Sequence, residues 1–372
     1  MKIPVQPHIA AIVPYPPGKP MDELEREYGV TNAIKLASNE NPWGPSPAAI
    51  RAIAAMLGNL HRYPDGSSYS LTRAVADWVG AEPEEIVLGN GSNEVIEFLV
   101  KAFVATGDAV ITSHPSFLMY QKFVQVRGGE NVIIPMRGMG HDLAAIRAAV
   151  TDRTRLIFLD NPNNPTGTLI DRASFARFLR DLPETVIVVV DEAYVDFVDP
   201  AERIDILDCI RRPDNIPAVV SLRTFSKAFG LAGLRVGFGV MHREVADLLH
   251  RVRQPFNVSL VAQVGALAAL VDPAHYDQTL QATRSGRAWL QAEVARLGCR
   301  AYPSEANFFL IDVGGDATRL YEAMLYKGVI VRAMRAYGYP ECIRITVGTE
   351  AENRRFVAAL GECLQELGYV RP

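Results

Sequence analysis

The chain has 372 residues, of which 49% are hydrophobic and 22% are charged, and its formal net charge is −4. This length and composition are typical of a globular protein with two domains and an ample core. The slightly acidic balance gives no electrostatic reason to bind nucleic acid or an anionic membrane, so neither is predicted as a partner.

The first part of the chain is rich in proline, in VPYPPGKP (13–20) and NPWGPSP (41–47). Proline lacks the backbone N–H that a helix interior uses, so we predict an extended arm here rather than a packed helix. The opening stretch, MKIPVQPHIA, has no apolar core of the kind that a secretory signal requires.

Short apolar runs alternate with amphipathic segments from about residue 85 onwards. The strand candidates are EIVLG (85–89), AVITS (109–113), NVIIP (131–135), RLIFLD (155–160), TVIVVVD (185–191) and AVVSL (218–222). A helix is predicted over NEVIEFLVKAFV, because Ile96, Leu99 and Phe103 recur at helical spacing. Strands that are β-branched almost throughout are typical of a mostly parallel sheet buried between helices.

The pattern changes in the last third of the chain. A long helical stretch covers residues 275–298, and the strand candidates ANFFLIDV (306–313), GVIVRAM (328–334) and CIRITVG (342–348) follow it. We therefore predict an α/β protein with a large domain over residues 41–256 and a smaller α+β domain over 257–372. Residues 1–40 are predicted to form the arm and part of the small domain.

The cysteines and histidines argue against a metal centre. The four cysteines lie far apart and form no CxxC pair, which disfavours zinc and redox motifs. Isolated cysteines fit a reducing cytosol, so we predict a cytoplasmic protein. The seven histidines show no metal-ligand spacing, and the longest apolar run, residues 260–271, is too short to span a bilayer.

The residues that follow each strand are informative, because open α/β sheets bind ligands beyond the carboxyl ends of their strands. GNGSNE (89–94) opens a helix, whose backbone N–H groups and dipole favour a bound phosphate. A tight turn capped by Ser92 or Asn93 is an equally good interpretation of this stretch alone. Glu94 replaces the third glycine of the dinucleotide fingerprint, which disfavours a nucleotide- or nicotinamide-binding protein.

Two further strands end in polar segments. NPNNPTG (161–167) follows RLIFLD and is a turn by composition. In DEAY (191–194), a charged Asp191 at the end of so apolar a strand is costly unless a partner stabilises it. We therefore expect Asp191 to face a cationic group, against the alternative of a purely structural aspartate, and Tyr194 could present its hydroxyl to the same cavity.

RTFSKAFGLAGLRVGFG (223–239) places Lys227 among small, hydroxyl and apolar residues. One interpretation is a solvated loop lysine; the other is a partly desolvated amine that loses its proton easily and acts as a nucleophile. The strand-end segments together describe a ligand with a phosphate, a cationic ring atom, a polar ring substituent and an electrophilic carbon. Pyridoxal phosphate has all four, and we predict it as the cofactor.

The segments GNGSNE, NNPTG, DEAY, SLRTFSKAFGLAGLR and IRITVG, in this order, resemble the fold-type I, pyridoxal-phosphate-dependent aminotransferases of the aspartate aminotransferase superfamily. The resemblance covers nearly the whole chain and implies a three-layer αβα large domain and a homodimer with shared active sites. PYPPGKP, KLASNENPWGPSP, RYPDGSSYSLTRAVA and CIRITVGT most resemble the members that exchange an amino group between L-histidinol phosphate and 2-oxoglutarate. That reaction gives imidazole acetol phosphate and L-glutamate in histidine biosynthesis.

The resemblance also implies a role for each site residue. Three residues are implied to be catalytic: Lys227, Asp191 and Tyr194. Lys227 binds the cofactor and shuttles a proton between the substrate Cα and the cofactor C4′. Asp191 pairs with the pyridine nitrogen. The other cofactor contacts are Asn164 and Tyr194 at the 3′ oxygen, Ser92, Asn93, Thr224, Ser226 and Arg235 at the phosphate, Phe117 at the ring face, and Tyr63 at the phosphate of the neighbouring subunit. The substrate contacts are Arg344 at the anionic group, Arg332 and Tyr15 at the outer anion site, and Asn164. Phe117 departs from the family pattern, in which tyrosine is frequent, but a phenyl face stacks equally well.

Related reactions start from the same cofactor, and the motif spacing does not separate them. An aminotransferase for phenylalanine or tyrosine and a lyase similar to threonine-phosphate decarboxylase remain alternative predictions. Arg332 and Arg344 also suit a strand surface, and Tyr15 also suits an anchor for the arm.

Overall fold

The computed structural model describes residues 4–14, 21–211 and 216–369. Its strands are β1 Ile34–Lys35, β2 Ile86–Gly89, β3 Ala109–His114, β4 Glu130–Pro135, β5 Thr154–Asp160, β6 Ile187–Asp191, β7 Ala218–Thr224, β8 Gly237–Met241, β9 Arg300–Ala301, β10 Phe308–Asp312, β11 Val329–Ile330, β12 Arg332–Ala333 and β13 Cys342–Thr346. Its helices are α1 Pro7–Ala10, α2 Met21–Tyr28, α3 Pro47–Met56, α4 Tyr69–Val79, α5 Ser92–Phe103, α6 Met119–Val126, α7 Leu143–Ala148, α8 Arg172–Arg180, α9 Ile206–Ile210, α10 Arg243–Val252, α11 Leu260–Leu270, α12 Pro273–Arg296, α13 Ala317–Tyr326 and α14 Glu350–Leu367.

The large sheet has its strands in the order β2-β8-β7-β6-β5-β3-β4. β8 runs antiparallel to both of its neighbours, β2 and β7, and the other pairs are parallel. Alternate residues of β6 belong to different cores, because successive side chains of a strand point to opposite faces. Val188 and Val190 pack with residues of α4, α8 and α11, whereas Val189 packs with residues of α5, α6 and α10. The sheet therefore lies between two helical layers, which confirms the predicted α/β class.

The structure has two smaller sheets among the described residues. β12, β13, β10 and β9 form an antiparallel sheet in that order, and β1 pairs with β11 in parallel. The sequence predicted one strand over GVIVRAM (328–334), but the structure divides it at Val331 between β11 and β12. The physical reason is that the two halves pair with strands of different sheets.

The division into domains stays a prediction. α11 lies inside the predicted small domain, yet it packs against α3, and its Ala262 belongs to a core of the large sheet. α12 then leads to the smaller unit, where Leu290 and Val294 join Leu36 in a separate core.

The extended arm was predicted for a proline-rich stretch that lies mostly outside the described part of the chain, since residues 15–20 of VPYPPGKP are not described. Short helices, α1 and α2, lie on either side of these residues. NPWGPSP has no helix before α3, where Ser46 Oγ accepts a hydrogen bond from Ala49 N at 3.1 Å. Within the described ranges, no helix is both long enough and apolar enough to cross a membrane.

Candidate active site

A cleft lies at the carboxyl ends of three parallel neighbours, β5, β6 and β7, which end at Asp160, Asp191 and Thr224. Its empty space, which includes space open to solvent, is about 630 Å³. It is lined by Ser92, Asn93, Phe117, Tyr120, Asp160, Asn164, Asp191, Ala193, Tyr194, Thr224, Ser226, Lys227 and Arg235. The residues predicted to contact a cofactor are therefore brought together, with the exception of Tyr63.

One end of the cleft forms a cup for an anion. α5 begins at Ser92, and the N–H groups of a first helical turn have no partner within their own helix. A Cβ on Gly237 would lie 2.3 Å from the backbone atom Ser92 N, so only glycine fits there, and Gly91 has φ of 75°, which favours glycine. Arg235 Nη1 donates to Ser226 Oγ at 3.4 Å. A guanidinium, a hydroxyl and a helix N-terminus thus converge, as phosphate binding requires.

Asp191 lines the cleft and is buried, with 5% of its surface exposed. Its Oδ2 accepts a hydrogen bond from the Tyr120 hydroxyl at 2.7 Å, and its Oδ1 accepts one from Ala193 N at 3.1 Å. Burial, with a contribution from the neighbouring Asp160 carboxylate, raises the pKa of Asp191 to about 7. No lysine, arginine or histidine of the described ranges forms an ion pair with it. The cation that the sequence led us to expect is therefore not a protein side chain in this part of the chain.

Lys227 follows β7 and lines the same cleft as Asp191. Its Nζ donates to the Ser38 carbonyl at 3.2 Å and lies 5.5 Å from the centroid of the Tyr194 ring. Burial, together with the nearby Arg344 guanidinium, lowers the pKa of Lys227 to about 8. At pH 7 about one tenth of this amine is neutral, a far larger fraction than for an exposed lysine. The structure therefore favours the nucleophilic interpretation over the solvated loop lysine.

A chain of hydrogen bonds connects the cleft to β13 in the four-stranded sheet. Asn164 Nδ2 donates to the Tyr194 hydroxyl oxygen at 3.4 Å, and Arg344 Nη1 donates to Asn164 Oδ1. Arg344 Nη2 donates to the Ala37 carbonyl at 2.8 Å, which fixes the guanidinium at the edge of the cleft. Burial raises the pKa of Tyr194 to about 12, so its hydroxyl keeps its proton at neutral pH.

Arg332 lies directly opposite Arg344 in the pairing of β12 with β13. Side chains of directly opposed residues in an antiparallel pair are neighbours on one face of the sheet, and like charges there repel each other. Two arginines in this register therefore suit an anion that lies between them.

Four predicted contacts are not among the residues that line this cleft: Arg332 and Arg344, which lie on β12 and β13, Tyr63 and Tyr15. Tyr63 is 82% exposed and stacks on Phe256, with 4.8 Å between the ring centroids, outside the cleft of its own chain. Its predicted contact with a neighbouring subunit stays a prediction. Tyr15 lies outside the described residues.

Sequence reasoning missed several residues of the site. Asp160 ends an apolar strand in the same way as Asp191, so the same signal could have identified it. Tyr120 lies one helical turn beyond Phe117, and that spacing places both on one side of the segment. The carbonyls of Ala37 and Ser38, which accept hydrogen bonds from Arg344 and Lys227, lie in the KLASNENPWGPSP segment, but their residue types do not predict these contacts.

The chain resembles known proteins over its whole length. Residues 31–360 match the family of class I and II aminotransferases. A histidinol-phosphate aminotransferase of Desulfotalea psychrophila is 60% identical over 370 residues, which are 100% of this chain and 98% of that protein. One of Moorella thermoacetica is 44% identical, with 96% and 92% covered. The crystal structure of histidinol-phosphate aminotransferase from Sinorhizobium meliloti in complex with pyridoxal 5′-phosphate has a TM-score of 0.89, 29% identity and 98% of each chain covered.

Pyridoxal phosphate fits the donor set of the cleft. Its phosphate suits the cup at the start of α5, its aldehyde suits the amine of Lys227, and its ring nitrogen supplies the cation that Asp191 lacks among the described side chains. Asn93 Oδ1 is buried beside the cup without a hydrogen-bond partner in the described ranges, so a polar atom remains for the ligand. The cleft thus provides one group for each polar part of this cofactor.

Proposed function

The chain belongs to the class I and II aminotransferases, and on that premise we propose that it transfers an amino group between L-histidinol phosphate and 2-oxoglutarate. The choice of substrate rests on the names of full-length relatives up to 60% identical. The observation that supports the reaction class best is that Lys227, with its lowered pKa, and Asp191, with its raised pKa, line one cleft. Bound pyridoxal phosphate supplies an electrophilic carbon for the amine and a ring that accepts electrons.

Several side chains would hold the cofactor. We assign its phosphate to Ser92, Asn93, Thr224, Ser226 and Arg235, one ring face to Phe117, the ring nitrogen to Asp191, and the 3′ oxygen to Asn164 and Tyr194. The carboxylate of Asp191 keeps a proton on the ring nitrogen, since a buried negative charge favours the cationic form of its neighbour. Tyr120 supports this role, because its hydroxyl fixes the orientation of the carboxylate.

Lys227 is the base in this proposal. Its Nζ takes the proton from the substrate Cα, a task for which a pKa of about 8 is suitable, because the neutral amine is accessible near pH 7. The Ser38 carbonyl, 3.2 Å from Nζ, holds the amine at the edge of the cleft.

Arg344 and Arg332 would bind the anionic group of each substrate. The Cα of histidinol phosphate carries a CH2–O–phosphate group where the Cα of glutamate carries its carboxylate, so one pocket must accept both anions. A single arginine binds a carboxylate through two hydrogen bonds. The second arginine, directly across the strand pair, adds charge for the phosphate dianion.

The assembly that we propose is a homodimer with shared active sites, in which Tyr63 reaches the phosphate cup of the second copy. Leu57 and Leu60 lie near Tyr63 in the chain and are 54% and 58% exposed. Exposed apolar side chains in the same stretch as the exposed Tyr63 suit a symmetric interface. We also propose a cytoplasmic location, which rests on the isolated cysteines in the sequence.

A panel of amino donors with 2-oxoglutarate as acceptor tests the reaction. We expect histidinol phosphate to give the highest kcat/KM and Lys227→Ala to abolish turnover with every donor. Borohydride, which fixes an amine-bound aldehyde irreversibly, should attach the cofactor to the wild-type protein but not to Lys227→Ala. If the wild type preferred phenylalanine, the proposed amino donor would be wrong. A fully active Lys227→Ala variant would overturn the mechanism.

A further inference from the structure

Asn39, in the KLASNENPWGPSP segment, has no role in the site as described so far, yet several hydrogen bonds hold it in place. It is 1% exposed and has a left-handed backbone with φ of 56°. Its N–H donates to Thr346 Oγ1 at 2.9 Å, its carbonyl accepts from Asn307 Nδ2 at 3.1 Å, and its Nδ2 donates to the Tyr194 hydroxyl oxygen at 2.9 Å. Asparagine tolerates this backbone, but a buried asparagine whose amide is hydrogen-bonded to a side chain of the cleft is a candidate positioning group.

Thr346 determines which way the Asn39 amide faces. Thr346 Oγ1 accepts the Asn39 N–H, and its own proton is donated to Asn39 Oδ1 at 3.2 Å. Because Oδ1 is the acceptor in that bond, Nδ2 is the atom left to face Tyr194. The direction of the hydrogen bond between Asn39 and Tyr194 is therefore fixed by a residue of β13, and the amide is a donor to the phenol oxygen.

The Tyr194 oxygen consequently accepts two hydrogen bonds, from Asn39 at 2.9 Å and from Asn164 at 3.4 Å. A phenol has a single proton to donate. Both amides approach as donors, so that proton must be directed to a third group. Within the described ranges, the Tyr194 hydroxyl donates no hydrogen bond to another residue. Its proton is thus available to a ligand in the cleft.

We propose that Asn39 is a positioning residue that directs the Tyr194 hydroxyl proton towards the 3′ oxygen of the bound cofactor. This inference rests on the proposed function. It predicts that Asn39 affects the cofactor only through Tyr194. It also predicts that the side-chain N–H of Asn39 contributes more to this effect than the volume of the side chain.

The chain allows a matched pair of substitutions. Asn39→Asp keeps the shape of the side chain but replaces the donor by a carboxylate, which accepts the Tyr194 proton. Asn39→Gly removes the side chain, and glycine tolerates the left-handed backbone without strain. Asn32, which is exposed and has φ of 59°, provides the control, since the same two changes there leave the cleft untouched.

The measurement is the pH midpoint of the visible absorbance of the cofactor-bound protein. A hydrogen bond donated to an oxygen anion favours the deprotonated form, so its loss in Tyr194→Phe should raise the midpoint by about one pH unit. We expect Asn39→Asp to match that rise and Asn39→Gly to produce less than half of it. A purely structural role predicts the reverse order, because aspartate preserves the packing and glycine leaves a cavity.

A double-mutant cycle separates the Tyr194 route from a direct effect of the new charge. In the Tyr194→Phe background, Asn39→Asp should leave the midpoint unchanged, whereas a direct charge effect would persist. A wild-type midpoint in Asn39→Asp, or a further rise in the double variant, overturns the role of Asn39. Failure of borohydride to fix the cofactor on the wild-type protein would instead overturn the proposed function, so the two failures are distinguishable.

Discussion

Asp191→Asn is expected to stabilise the cofactor-free protein while it destroys activity. Burial raises the pKa of Asp191 from 3.8 to about 7 in the absence of a ligand. A folded-state pKa above the unfolded value contributes stability that is fully present below about pH 4 and is lost as the pH rises through about 7. A difference of roughly three pKa units corresponds to at most ~4 kcal/mol at pH 8. Asparagine, which resembles the protonated acid, avoids this loss.

The assay is urea unfolding of the cofactor-free wild type and variant between pH 4 and pH 8. The free energies of unfolding should be similar at pH 4, and the variant should become the more stable protein as the pH rises. Asp65→Asn provides a contrast, because hydrogen bonds from the Ser67 side chain and the Tyr69 backbone lower the pKa of Asp65. Stability from a lowered pKa is present above the unfolded value, so asparagine at Asp65 should cost stability at pH 8.

With the cofactor bound, the variant should be the less active protein, although it is the more stable one without the cofactor. The Asp191 carboxylate then pairs with a cationic ring nitrogen, and Asp191→Asn should reduce kcat/KM by several orders of magnitude. A loss in kcat/KM of less than tenfold, about 1.4 kcal/mol, would contradict the assignment of Asp191 to the ring nitrogen. A cofactor-free variant that is less stable than the wild type at pH 8 would refute the burial argument itself.

Three further outcomes are expected. Arg332→Ala should weaken the use of histidinol phosphate more than that of phenylalanine, by at least about 1.5 kcal/mol in kcat/KM, since a charge-assisted contact is lost; equal losses would contradict the two-arginine site. Mixed Lys227→Ala and Tyr63→Ala subunits should regain one intact site per heterodimer, and exchanged subunits without activity would exclude a shared site. Gly237→Ala should weaken cofactor binding at least tenfold in an absorbance titration, because its Cβ would lie 2.3 Å from Ser92 N. An unchanged affinity would show that the cup does not bind the cofactor phosphate.

The sequence was informative wherever the chemistry lies at the end of an apolar strand. Asp191, Thr224 and Lys227 could be placed in one cleft because β6 and β7 are parallel neighbours whose carboxyl ends meet at one edge of the sheet. The register of β12 with β13 was not visible in the sequence, although it places Arg332 opposite Arg344. Pairing partners depend on the assembled sheets, and no local pattern encodes them.

Contacts between distant segments were the other part that the sequence did not reveal. Asn39 and Tyr194 are 155 residues apart, and the bond between them depends on a left-handed backbone that asparagine adopts in many loops without functional meaning. The position of α11 was equally hidden, because an apolar helix can pack against either unit. Tertiary packing decides both, and it overrides local pattern.

The place of β8 in the large sheet has a consequence for how the protein folds. β2 lies at the edge of that sheet, and β8 is its neighbour, between β2 and β7. The cup combines the start of α5, which follows β2, with residues that follow β7 and precede β8, so its parts meet only after β8 is inserted. Closure between such distant segments is a slow event in folding. We therefore expect affinity for the cofactor to arise only once β8 has joined the sheet, so that the cofactor stabilises chains whose large sheet is complete.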